Sequence, residues 1–135
     1  MRLKLNEIHF QTQSLVESMV RKGLIDIAGP SQPALIGRIE RLLEHYDEQV
    51  SELEEEASSL VGGFGMDEER MQYKAFKSLA RDAELPIGSD ALEYLIKKIE
   101  DLLWDDEDVD EIYAEPRQLV AAINPFLKQM SRKRF

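Results

Sequence analysis

Residues 31–60 read SQPALIGRIERLLEHYDEQVSELEEEASSL. Leu35, Ile39, Leu42, Tyr46, Val50, Leu53, Ala57 and Leu60 recur at steps of three or four, which is the spacing of one helical face. Ser31 is a candidate N-cap and Pro33 fits the first turn. A helix of about thirty residues follows, roughly 45 Å long at ~1.5 Å per residue. Ile36 and Leu43 widen the stripe over 35–46, enough to face two neighbours. Over 47–60 only a narrow seam remains, flanked by acids. The seam of Tyr46, Val50, Leu53, Ala57 and Leu60 therefore meets one partner or projects, and a second copy of the chain is a candidate for that partner.

Four more amphipathic segments lie around this helix. Before it, Ile8, Leu15, Val16, Met19 and Val20 form the stripe of a helix over about 6–22, stopped by Gly23. Leu24-Ile25-Asp26-Ile27-Ala28 then alternates like a short strand. After it, Val61-Gly62-Gly63-Phe64-Gly65 ends the long helix, and Asp67, Glu68 and Glu69 open another that runs to about Ala83. Leu85-Pro86-Ile87-Gly88 breaks the chain before a fourth helix carrying Leu92, Leu95, Ile96, Ile99, Leu102 and Leu103. Val109 to Tyr113 is a second extended candidate. The last helix begins near Glu115-Pro116 and buries Leu119, Val120, Ile123, Phe126, Leu127 and Met130. Pro125 costs it a hydrogen bond, but the stripe crosses the proline in phase, so a kink is expected rather than a restart.

The order helix, alternating pentad, break with proline, helix occurs twice. Leu15-Val16-x-x-Met19 aligns with Leu95-Ile96-x-x-Ile99, and, four residues further along, Leu35-Ile36-x-x-Ile39-x-x-Leu42-Leu43 aligns with Leu119-Val120-x-x-Ile123-x-x-Phe126-Leu127. The expected architecture is a mainly α single domain of five helices over 1–135. Its repeat-like halves, about 6–60 and 66–130, are related by a pseudo-twofold axis. The pentads 24–28 and 109–113 pair near that axis as a short two-stranded ribbon, and 131–135 form a basic tail. On this alignment the second copy differs by four extra residues within 104–109.

Formal net charge is −10, with no cysteine. Residues 47–56 hold six acids and 100–115 hold nine, against five bases and no acid over 116–135. Such an acidic bulk repels polyphosphate, which disfavours nucleic acid as a partner unless the tail Arg132, Lys133 and Arg134, with Arg2, Lys4 and Lys97-Lys98, acts alone. The missing cysteines exclude disulfides and thiol chemistry and accord with a reducing cytosol. Polar residues interrupt 1–20, so no signal-peptide core is read there, and no apolar run is long enough for a membrane span. A cytoplasmic protein is expected.

Chemistry-bearing constellations are few. Asp106, Asp108 and Asp110 start like a calcium-binding EF-hand loop, but Glu111 stands where its glycine belongs and Arg117 where its last glutamate belongs. The acids of 100–111 read as a solvated face rather than a divalent-cation site. His9 and His45 have no companion ligands at zinc spacing. No metal, cofactor or catalytic residue is assigned, and the chain is expected not to be an enzyme. Trp104, the only tryptophan, either covers the core edge, which is the preferred reading, or anchors a partner.

The start Met1-Arg2-Leu3, the doubled unit and the connector Lys77-Ser78-Leu79-Ala80-Arg81 leading to Leu85-Pro86-Ile87-Gly88-Ser89 resemble a family of small bacterial cytosolic proteins known as domain of unknown function 507. The resemblance implies a mainly helical domain and supplies no activity and no functional residues. The functional expectation is a non-enzymatic protein-interaction or regulatory module, with Tyr46, Val50, Leu53, Ala57, Leu60, Trp104, Arg132, Lys133 and Arg134 as candidate contacts. The alternatives are a nucleic-acid-associated factor using the basic tail and, behind it, a carboxylate-based hydrolase.

Overall fold

Helix stops divide the chain. A computed structural model describes residues 2–62 and 67–131, and gives five helices and one two-stranded ribbon among them. They are α1 (Leu5–Arg21), β1 (Ile25–Ile27), α2 (Gln32–Val61), α3 (Glu68–Asp82), α4 (Ser89–Asp105), β2 (Val109–Ile112) and α5 (Pro116–Met130). A 3-10 turn, Gly29–Ser31, leads into α2. The protein is mainly α, as its periodicity predicts.

Gly23 ends α1 at φ 71°, with Leu24 N–H donating to Met19 O (2.9 Å) and Gly23 N–H to Val20 O (3.1 Å). This double bond pattern needs a left-handed residue, and glycine takes it without a Cβ clash. Glu84 does the same after α3 at φ 54°, with Leu85 N–H donating to Ala80 O. At the start of α5 the Gln118 side chain accepts from Glu115 N–H (2.8 Å), satisfying a donor that the helix leaves free. α5 then continues unbroken through Pro125 to Met130.

One apolar core runs through the chain, centred on Leu15, Leu35, Ile39, Leu95, Ile99 and Leu119, all fully buried. α1 packs between α2 and α5, and α4 packs on α5 with a lighter contact to α2. α3 lies along the far half of α2. It runs antiparallel, since the segment after its C-terminus reaches back to the middle of α2, where Tyr46 Oη donates to Pro86 O (2.7 Å).

β1 and β2 pair antiparallel, Ile25 with Ile112, Asp26 with Glu111 and Ile27 with Val109, with a bulge between Asp26 and Ile27. The expected ribbon is therefore present. The elements also recur at one separation: α1 and α4 begin at 5 and 89, β1 and β2 at 25 and 109, α2 and α5 at 32 and 116, in each case 84 apart. α1 and α4 each have 17 residues. At this separation Leu15 stands opposite Ile99 rather than Leu95, and no four-residue insertion falls between the two sets of elements in 104–109.

Candidate functional site

Two arginines fasten the acidic segments. Arg38, on α2, donates from Nε to Asp106 Oδ2 (2.6 Å) and from Nη2 to Asp106 Oδ1 (2.9 Å) and Asp108 Oδ2 (2.6 Å). Asp106 Oδ1 also accepts from Asp108 N–H (2.9 Å), which shapes the turn into β2. Hydrogen bonding to Asp106, then Asp108, raises the guanidinium above its ordinary value. Arg2 grips Asp47 in the same bidentate way and donates to Glu54 as well. Asp106 and Asp108 are thus anchors rather than part of a uniformly solvated face. Neither clamp is readable from spacing, because its partners lie 68 and 45 residues apart in the chain.

The Arg38 clamp positions an exposed acidic surface. Asp105, Glu107, Asp110 and Glu111 are exposed and make no ion pair with a described residue. Asp26 stands directly across the ribbon from Glu111, also exposed, and two like charges so placed repel each other. Trp104, at the end of α4, is 59% exposed, and Tyr113, just beyond β2, is 64% exposed. The preferred reading of Trp104 as cover for the core edge is overturned. It falls off the stripe of Leu95, Ile99 and Leu103 that α4 turns inward.

The seam of α2 is not a free surface. Val50 and Ala57 are fully buried and Tyr46 nearly so, Leu53 is half-buried, and only Leu60 is exposed. α3 supplies the cover with Phe76 and Ala80, so the single partner expected for this seam is another helix of the same chain. Arg132, Lys133 and Arg134 lie outside the described residues. Of the other candidate nucleic-acid cations, Arg2 is engaged as above and Lys97 reaches Asp101 (3.1 Å) and Glu100 (3.7 Å). Lys98 sits over the Tyr94 ring, 5.5 Å from its centroid.

Among the described residues no three His, Cys, Asp or Glu side chains converge as metal ligands. Asp47 and Glu100, both buried, stand apart in role: Asp47 serves Arg2 and Leu3 N–H, while Glu100 borders a groove between α4 and α5. Also among the described residues, no helix is long and apolar enough to cross a membrane.

Fold and surface together define a mainly helical protein with an acidic, aromatic-tipped face. Over residues 1–134 the chain matches the family described as Protein of unknown function (DUF507), and it belongs to that family. No curated protein matches it.

Proposed function

We propose that the chain is a non-enzymatic cytosolic interaction module whose partner is a basic protein segment, received at the end of α4. The observation that carries this reading is Trp104, a large apolar ring held 59% in solvent beside exposed acids. A tryptophan so exposed contributes little to the fold. Tryptophan is also among the residues most often found to dominate binding energy at interfaces. The surrounding carboxylates favour a cationic partner and speed its approach, and both effects weaken as salt screens them. Held by the Arg38 clamp, the acidic turn is a shaped surface rather than a loose tail.

Affinity capture from native cytosol at low and raised salt tests the reading. Wild type is expected to retain a discrete basic partner that Trp104→Ala loses and that added salt releases. A partner held equally by Trp104→Ala, or a partner of acidic character, overturns it.

A further inference from the structure

Along α4, successive residues turn by ~100°, which brings Ser89, Glu93, Ile96, Lys97, Glu100 and Trp104 onto one stripe. Its first five members line a groove against α5, whose opposite wall carries Val120 and Asn124. The groove encloses about 430 Å³, with Leu92, Ile96 and Val120 as its apolar surface. Val120 is 40% exposed there.

Two acceptors bordering this groove lack donors. Glu100 is 8% exposed, and its Oε1 has no hydrogen-bond partner among the described residues; the same holds for Asn124 Oδ1. Lys97 approaches only the other carboxylate oxygen of Glu100, at 3.7 Å, and is drawn closer to Asp101. A buried acceptor without a donor is destabilising, so a ligand that brings N–H groups gains by supplying them.

At the constant separation of 84 residues, a second groove, between α1 and α2, is lined by His9, Gln13, Ile36 and Glu40, where this one has Glu93, Lys97, Val120 and Asn124. There, His9 Nδ1 meets Glu40 Oε1 at 2.5 Å, so the chain supplies its own partner for the acid. The α1 position 84 residues before Glu100 is Val16, which is apolar and fully buried, so the acid is particular to the α4/α5 groove and its Oε1 is left without such a partner among the described residues.

We infer that the α4/α5 groove receives a basic amphipathic segment of a protein partner, with an aliphatic side chain against Ile96 and Val120 and a lysine or arginine at Glu100. Trp104 covers the end of the segment. The inference rests on the proposed function and specifies its partner. A guanidinium carries five donors, and a turn of the Glu100 carboxylate toward the groove brings its shielded Oε1 within reach of them. From Glu93 to Trp104 the stripe extends about 16 Å at ~1.5 Å per residue, which matches a peptide segment and exceeds a small amine.

Selection of a random peptide library, about a dozen residues long, on the full chain tests this. Enriched peptides are expected to carry lysine or arginine beside an aliphatic residue. Their affinity is expected to fall about ten-fold in Glu100→Gln and in Val120→Asp. Both variants alter groove-facing groups, and unchanged thermal unfolding verifies their fold. Peptides without a basic residue, peptides that bind both variants as tightly as wild type, or no enrichment at all overturn the inference. Peptides that depend on Trp104 but on neither Glu100 nor Val120 overturn the groove alone and leave the acidic face standing. Groove-dependent peptides alongside a native partner indifferent to Trp104 overturn the proposed function instead.

Discussion

Arg2 and Asp47 meet edge to edge, Nε to Oδ1 at 2.9 Å and Nη2 to Oδ2 at 3.1 Å, and join the first residues of the chain to the middle of its longest helix. Asp47 also accepts from Leu3 N–H, and Lys4 N–H donates to Met130 O. One carboxylate therefore fixes the entry of the chain beside the end of α5. Hydrogen bonding to Asp47 raises the Arg2 guanidinium above its ordinary value, so the arginine stays charged at neutral pH.

Asp47→Ala takes the bidentate acceptor from a largely buried guanidinium and removes the acceptor of Leu3 N–H, while Glu54 still pairs with Arg2. Asp47→Ala is expected to destabilise the fold by about 3 kcal/mol in urea denaturation, whereas Arg2→Met combined with Asp47→Leu recovers much of that loss. A cost below about 1 kcal/mol for Asp47→Ala contradicts a structural role for the pair.

The Arg38 clamp predicts a local effect. The Arg38 side chain is 36% exposed, so screening reduces the worth of its charged hydrogen bonds, and Arg38→Leu should cost about 1–2 kcal/mol. Amide hydrogen exchange is expected to accelerate over Val109–Ile112 and to change little in α1. Uniform acceleration across the chain would show that the clamp holds the whole fold rather than the acidic turn.

Tyr46 gives a pH dependence of definite sign. Burial pushes its phenol above the ordinary tyrosine value, and its Oη donates to Pro86 O. The unfolded chain releases this proton near pH ~10 while the folded chain keeps it, so the folded state binds more protons above that pH. Its contribution is intact below pH ~10, and stability then falls by about 1.4 kcal/mol per pH unit until the folded phenol itself ionises. Tyr46→Phe should lose about 1 kcal/mol at neutral pH and show a shallower alkaline slope. An equal slope in both proteins assigns the alkaline loss to other groups.

Most of the fold is legible in the sequence because its determinants are local. The stripes of α1, α2, α4 and α5, the stop at Gly23 and the ribbon pentads follow from spacing and turn chemistry alone. What spacing cannot give is the identity of the neighbour. Tyr46, Val50 and Ala57 mark a face that needs cover, but a second chain and α3 satisfy that need alike. The Arg2 and Arg38 clamps are invisible for a related reason, since nothing local ties an arginine to an acid so distant in sequence. Trp104 is different. Its offset from Leu95, Ile99 and Leu103 places it outside the inward stripe, and that signal was present in the sequence.

An exposed Trp104 contributes little to folding. Trp104→Ala is expected to change unfolding free energy by no more than about 0.5 kcal/mol, and wild-type fluorescence should be readily quenched by acrylamide. A destabilisation well beyond that, or a quencher-resistant tryptophan, contradicts its placement in solvent.

The central claim is that the end of α4 is where a partner binds, and site-specific photo-cross-linking in living cells tests it most directly. A photoreactive residue at position 104 is compared with one at position 73, since Tyr73 is also exposed, at 50%, but lies on α3. The account predicts one discrete cross-linked protein from position 104, reacting through a basic segment, and none from position 73. The same product from both positions, or none from position 104, contradicts it.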